Sequence, residues 1–376
     1  MLLRIHFFPG LCLLVLGLVL EWQIVGRLWP RVARRRALLG GAATGAVVLL
    51  FGYLLEFQRI ALRFPVWWAT WVDCAAIMAT FGLLAVYLTL LLPRYPAGFQ
   101  SERRMVLQVA GASLCAVPAL GTAFGIVTRN QFRLTEVKIP IPNLPKDLDG
   151  LRLVQITDIH LSPFLSESEF ARAIDMANET RAHLALVTGD LISRRGDPLD
   201  ACLRQLARVR AEAGVLGCLG NHEVYTRTQD YVTAQGRRSG IEFLRGQARR
   251  LRFGVAEINF AGVDYQKFGA PYLQDAEKLI APGAVNILLS HNPDVFPVAA
   301  AKGYDLTIAG HTHGGQVDVE ILHQHWDVAR YYTPYVRGLY PGGKSSVYVS
   351  SGLGTIGVPV RLGAPPEVSL LQLCAT

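Results

Sequence analysis

Aspartate, asparagine and histidine recur in this chain in short clusters: Asp158 and His160, Asp190, Asn221 with His222, His291, and then His311 and His313. These side chains bind hard and borderline divalent cations through oxygen and nitrogen. The last cluster, GHTHGGQ at residues 310–316, places two imidazoles one residue apart among three glycines. That is either part of a metal site or a turn that happens to hold two histidines. With no thiolate among them, the group suits Mn, Fe or Zn in mixed oxygen and nitrogen coordination. Seven such side chains, one carboxylate being shared, can hold two ions about 3.5–4 Å apart and activate a water for in-line attack on phosphorus. No serine or cysteine nucleophile paired with a base, no phosphate-binding P-loop and no G-x-G-x-x-G fingerprint accompanies them.

The clusters sit where strands end. Apolar, β-branched runs at residues 151–157, 184–188, 215–220, 285–290 and 305–310 read as strands, and each is followed by one of the clusters. Residues 166–180 read as a helix with a serine start, early glutamates and apolar residues at helical spacing. Residues 345–352 and 367–373 read as two further strands. Strand–helix alternation of this kind predicts an α/β fold with packed sheets and helices outside. Ligands gather at the carboxyl ends of strands in such sheets, and neighbouring glycines (Gly189, Gly220, Gly310) let the backbone turn close to them. The histidines of GHTHGGQ are therefore read as two members of a converging set. His183, His323 and His325 match no cluster and are expected to be surface or satisfied histidines, and Tyr225, Arg227 and Tyr265 are expected in ordinary surface or core roles although each is placed to line a cleft.

Taken in order, Asp158-x-His160, Gly189-Asp190, Gly220-Asn221-His222-Glu223, His291 and Gly310-His311-x-His313 resemble the motifs of the calcineurin-like metallophosphoesterase superfamily. The tail from Gly338 onward resembles its bacterial membrane-associated or exported branch. The resemblance covers residue 151 to the C-terminus and implies a four-layer αββα sandwich. It further implies that Asp158, His160 and His313 bind one metal ion, that Asn221, His291 and His311 bind a second, and that Asp190 bridges them. His222 would stabilise the transition state or protonate the leaving oxygen. The chain departs from the pattern at Ser193, where many members carry the aspartate that orients this histidine. Either Glu223 or another acid takes over that role, or His222 contributes less.

The first third of the chain has another character. Of 376 residues 51% are hydrophobic, and the apolar excess lies before about residue 128. Residues 5–25, 37–57, 66–92 and 105–127 approach the roughly 20 apolar residues that a membrane helix needs. Trp67, Trp68 and Trp71 cluster at one end of the third, as an interfacial belt does, with Asp73 beside them. The formal net charge is +8, but its arginines gather next to these segments (Arg27, Arg31, Arg34, Arg35, Arg36; Arg94, Arg103, Arg104), which points to membrane orientation rather than nucleic acid. Residues 101–107, SERRMVL, also resemble a twin-arginine export signal. The expected organisation is a helical membrane region over 1–128, a linker and domain entry over 129–150 and the metallophosphoesterase domain over 151–376. The expected setting is a multi-pass inner or plasma membrane protein, its domain periplasmic or extracellular. Its six cysteines form no C-x-x-C pair and read as free thiols. Three functions follow: hydrolysis of a phosphomonoester or diester, hydrolysis of a lipid-linked phosphate or pyrophosphate, or a non-catalytic metal-binding sensor or scaffold. The expected partners are the lipid bilayer and a phosphoester substrate, with no nucleic acid.

Overall fold

The central strands form where the sequence is continuously apolar. The computed structural model describes residues 121, 123–267, 269, 271–321 and 324–376, so the apolar segments 5–25, 37–57 and 66–92 and nearly all of 105–127 lie outside the described residues. No helix among the described residues is long and apolar enough to cross a membrane. The chain divides into two units, Met1–Gly125 and Ile126–Thr376, and the elements below belong to the second.

One six-stranded sheet contains β1 (Arg133–Ile141), β2 (Arg152–Ile156), β3 (Leu184–Val187), β4 (Val215–Gly217), β5 (Ile241–Phe243) and the C-terminal β14 (Glu367–Ala375), in the order β1-β14-β2-β3-β4-β5. The other contains β6 (Gln247–Phe253), β7 (Ala256–Gly262), β8 (Val285–Leu289), β9 (Leu306–Ala309), β12 (Gly338–Gly342) and β13 (Ser345–Val349), in the order β12-β13-β9-β8-β7-β6. A two-stranded ribbon, β10 (Val319–Ile321) with β11 (Gln324–Trp326), stands apart. The helices are α1 (Glu167–Glu179), α2 (Leu199–Leu206), α3 (Asn221–Thr226), α4 (Gln229–Arg238) and α5 (Phe296–Lys302).

Side-chain alternation explains the layering. In β3, Leu184 and Leu186 point between the sheets, where they pack with Leu153 and Leu216 against Ile258, Phe260, Ile287, Leu289, Leu306 and Ile308 of the second sheet. Ala185 and Val187 point the other way, against Phe170 and Ile174 of α1, Leu203 and Leu206 of α2 and Val232 of α4. Outside the second sheet, α5 seats Ala299 beside Leu288 and Phe296 beside Val347 and Val349. The order is helix, sheet, sheet, helix, so central strands are buried on both faces and read as unbroken apolar runs. α1 begins where the sequence predicts, with a reciprocal cap: Glu169 N–H donates to Ser166 Oγ (3.3 Å) and Ser166 N–H to Glu169 Oε2 (2.8 Å).

Residues 129–150, expected as linker and domain entry, contain β1, which pairs in parallel with β14 from Arg133 opposite Glu367 to Ile141 opposite Ala375. Its solvent face and Pro140, Pro142 and Pro145 hid it, and proline is tolerated here because β1 is an edge strand. Because β2 to β5 run parallel to one another, as do β7 to β9, their carboxyl ends deliver the predicted clusters to one edge of the sandwich. Phe260→Ala, which opens a cavity between the sheets, should lower unfolding free energy by about 3–5 kcal/mol in urea titrations.

Candidate metal centre

The loops at this edge are laced together before any side chain is considered. Asp158 N–H donates to the Gly189 carbonyl (3.1 Å), His160 N–H to the Asp190 carbonyl (3.0 Å) and Gly310 N–H to the His291 carbonyl (3.2 Å). The backbone turns hard to achieve this. Asp158, His160, Asp190, His311 and His313 all lie in the left-handed region, at φ of 49°, 47°, 57°, 76° and 54°. Such conformations cost a non-glycine residue roughly 1–3 kcal/mol each and cluster at functional sites. Glycine is needed where loops touch: a Cβ on Gly220 would lie 2.1 Å from Asp190 Oδ1, and one on Gly354 2.2 Å from the Ile159 carbonyl oxygen.

Seven of the eight predicted residues fall into three overlapping groups, and Asn221 is buried. Asp158, His160 and His313 offer ligand atoms within 4.8 Å of one another, and so do Asp190, His291 and His311. Asp190 also groups with His160 and His222, so it lies between the two sets. Asp158, His160, Asp190, Asn221, His291 and His313 are buried, while His222 and His311 are partly open to solvent.

Second partners decide which way each imidazole faces. His291 Nδ1–H donates to the Thr188 carbonyl (2.7 Å), His160 Nδ1–H to Ser193 Oγ (2.9 Å), and His313 Nδ1 faces the Gly354 carbonyl (3.3 Å). His160 Nε2 and His313 Nε2 stand 3.1 Å apart. Asn221 Oδ1 is buried and accepts nothing. His291 Nε2 lies 3.0 Å from Asp190 Oδ2 without the alignment of a hydrogen bond. The donor set and its unpartnered atoms fit divalent metal.

The electrostatics agree. Burial lowers the pKa of His311 to about 3, and burial with His160 and Arg361 holds His313 well below the usual imidazole range, so both are neutral ligands. His160 is also lowered by burial, against the pull of Asp190. Burial would raise Asp190, but His291, His222 and His160 outweigh it and keep that carboxyl well below its ordinary value. Asp158 is raised, by burial and then by Asp190. His291 moves oppositely: burial lowers it, yet Asp190 and Asp158 overrule burial and raise it to about 10. A site that pulls a proton onto a buried imidazole between two carboxylates attracts positive charge.

His222 is oriented differently from either expectation. Its Nδ1–H donates to the backbone carbonyl of Ser193 (2.6 Å), leaving Nε2 facing Asp190 Oδ2 at 4.0 Å. Ser193, where an aspartate is usual, therefore holds His222 through its main chain and His160 through its hydroxyl. Glu223 does not touch the His222 ring. Its carboxylate accepts the N–H groups of Asp190 (3.0 Å), Leu191 (2.8 Å) and Gly220 (2.8 Å), clasping two ligand loops.

Other contributors carried weak sequence signals. Gln316, last of GHTHGGQ, accepts the Ile356 N–H (2.8 Å) and donates to the carbonyls of Ile356 and Val358 (both 3.0 Å), clamping the C-terminal loop. Buried Arg361 donates to the carbonyls of His313 (2.9 Å), Gly354 (3.1 Å) and Gly352 (3.3 Å), walling in His313. A lone arginine in the apolar run GVPVRLGAPP is the signal that could have found it. Tyr225 and Tyr265, expected in ordinary roles, lie against the cluster, with ring centroids 5.5 Å from His222 and 5.7 Å from His311. His183 accepts the Arg152 N–H (3.0 Å) and His325 pairs with Asp318 (2.9 Å), both away from the ligand groups, while His323 lies outside the described residues. Cys202 and Cys218 are buried free thiols.

Residues 151–315 match the family model of calcineurin-like phosphoesterases. Among curated proteins, the chain is 31% identical over 252 residues to an uncharacterized metallophosphoesterase of Campylobacter jejuni, covering 65% of this chain. It spans 64% of that relative's length. It is 28% identical over 389 residues to a transmembrane protein with metallophosphoesterase domain of Danio rerio, covering 92% of this chain and 85% of that one. An uncharacterized metallophosphoesterase of Bacillus subtilis is 28% identical over 291 residues, 73% of this chain and 98% of the relative. Residues 151–315 are thus a stretch similar to calcineurin-like phosphoesterases, and curated metallophosphoesterases align with the same part of the chain.

Glu223→Gln keeps the volume but turns an amide N–H₂ toward backbone donors. Hydrogen bonds to a charged acceptor contribute about 1.5–3 kcal/mol each, so the variant should lose about 2–4 kcal/mol of unfolding free energy and bind less metal, as read by urea titration and elemental analysis.

Proposed function

We propose that this chain is a membrane-anchored hydrolase of phosphoesters that works with two divalent metal ions. What supports the reading is that six oxygen and nitrogen donors fall in two groups, Asp158–His160–His313 and Asp190–His291–His311, with Asp190 also grouped with His160. Asp158, His160 and His313 would hold one ion, Asn221, His291 and His311 the other, with Asp190 common to both. Mn, Fe and Zn suit the donors. When bound, such a pair supplies charge neutralisation at the phosphoryl oxygens and activation of a water. The protein's own residues do the rest. Asp190 is fixed by the His222 N–H (2.9 Å) and its backbone by Glu223, so it cannot swing away. Asp158 accepts the Thr157 hydroxyl (2.9 Å) and the His311 N–H (3.0 Å). Partly exposed and anchored at Nδ1, His222 presents Nε2 to solvent-side substrate, where it can donate a proton to the leaving oxygen. The complete ligand set weighs against a non-catalytic sensor or scaffold.

The chemistry is tested on the metal-reconstituted protein with a panel of phosphomonoesters, phosphodiesters and lipid-linked phosphates. His222→Ala should retain both ions and lose about 10²–10⁴-fold in rate, most with poor leaving groups. An equal loss on activated aryl phosphates and alkyl esters would remove the proton-donor role.

A lipid-linked phosphate or pyrophosphate is the second reading of the substrate. The apolar first third of the chain favours it, as does the long match to a relative named as a transmembrane protein. The arginine-rich segment 27–36 and the paired Arg103–Arg104 support a topology with residue 105 onward leaving the cytoplasm. Alkaline phosphatase fused after Thr376 should then be active and green fluorescent protein there dark; the reverse pattern would place the domain in the cytoplasm.

A further inference from the structure

An aromatic ring from each sheet's loops borders the ligand cluster. Tyr225 stands on α3 three residues after His222, on the same face of the helix, and the two ring centroids lie 5.5 Å apart. Tyr265 comes from the other sheet, in the loop that leaves β7, with its ring 5.7 Å from His311 and 6.4 Å from His291. The two side chains meet: that of Tyr225 hydrogen-bonds that of Tyr265. Burial first, and then the Tyr225 hydroxyl and the Asp190 carboxylate, hold the Tyr265 phenol above its ordinary range, so it keeps its proton at neutral pH.

The loop carrying Tyr265 is pinned on both sides of that residue. Asp264 accepts the Arg245 Nε–H (2.9 Å) and Nη2–H (3.1 Å) on its two oxygens. Gln266 accepts the Leu273 N–H at its side chain (2.9 Å) and the Asn292 amide at its carbonyl (2.8 Å). Asn292 follows His291 directly, so Tyr265 is tied to the loop of a candidate ligand. Across the cluster, Glu223 clasps the start of α3 and the Thr226 hydroxyl donates to the His222 carbonyl (2.7 Å). Tyr225 is nonetheless 57% exposed, which puts the phenol pair at the solvent mouth of the cluster rather than in its wall.

A hydroxyl donates one hydrogen bond, so two phenols in contact spend one proton on each other and keep one for a third group. A phosphoryl group offers more oxygens than two cations and a proton donor use, and the remaining oxygen accepts readily from a neutral O–H. We propose that Tyr225 and Tyr265 are substrate-binding residues acting as one unit, their hydroxyl pair donating to a phosphoryl oxygen held at the ligand cluster. The proposal rests on the phosphoester reading above. It divides the ester between two contacts: the phenols hold the phosphoryl group, and His222 addresses the leaving oxygen.

Tyr225→Phe combined with Tyr265→Phe removes both hydroxyls and keeps both rings. In the metal-reconstituted full chain, calorimetry should show orthophosphate bound about 10- to 100-fold more weakly, the worth of one hydrogen bond to a charged acceptor, at unchanged metal content and thermal midpoint. On the ester panel the double variant should raise KM and lower kcat/KM by one common factor for aryl and alkyl esters, because all share the phosphoryl group. His222→Ala should instead lose most with poor leaving groups. Unchanged phosphate affinity in the double variant overturns the proposal, as does metal-loaded wild-type protein that binds no orthophosphate. Loss of metal along with the hydroxyls also overturns it, since the phenols would then hold ligands instead of substrate. So does a loss confined to one leaving group, which would set the phenols against the alcohol. Orthophosphate binding that weakens in the double variant, in a protein that turns over no ester, upholds the phenols and removes the hydrolase reading, so the two failures are distinguishable.

Discussion

Two carboxylates and four imidazoles share one buried edge, and the charge balance among them is the constraint on which the rest depends. Asp158 and Asp190 repel each other in a region that water does not reach, so one is raised while the other stays ionised only because imidazoles surround it. The proton drawn to His291 is the local answer without metal. Divalent cations answer better, because they meet both carboxylates and the imidazole nitrogens as well. The same charge balance makes the cluster a candidate for holding divalent cations.

Holding such a cluster requires backbone that the chain does not adopt readily. Five ligands in the left-handed region represent several kcal/mol of local cost. The sandwich offsets it from both sides. Behind the ligands, apolar strands buried on both faces make the loop ends immobile. Around them, side chains serve the backbone rather than one another: Glu223 takes three N–H groups, Gln316 clamps the C-terminal loop, and Arg361 gathers three carbonyls behind His313. Arg361 has no carboxylate partner in contact, so burial lowers its pKa to about 10, a cost accepted for a rigid wall behind a ligand.

The strand ends and their polar residues were legible because two periodicities coincide there: an apolar run ends, and a metal-binding side chain follows a glycine or leads into one. Asp190, Asn221 and His311 each obey that rule. Helix α1 was legible through Ser166 and Glu169, whose cap needs only four residues of sequence. What stayed hidden has long-range causes. β1 alternates polar and apolar residues and contains Pro140, so nothing local separates it from a linker; its partner is the far end of the chain. The partner of His222 is a main-chain carbonyl, which residue type cannot announce. Ser193 looked like a loss because the side chain was the part being read.

The serine in place of an acid also bears on how His222 works. An aspartate on Nδ1 would stabilise the imidazolium and make Nε2 a weaker acid. A neutral carbonyl on Nδ1 orients the ring equally well without adding negative charge behind it. The only carboxylate near the ring is Asp190, 4.0 Å from Nε2, and bound cations would draw on its charge. The ring is therefore fixed in direction by a neutral main-chain partner. Ser193 can then turn its hydroxyl to His160, so one residue holds both rings, and both would turn together if the loop from Asp190 to Asp197 moved.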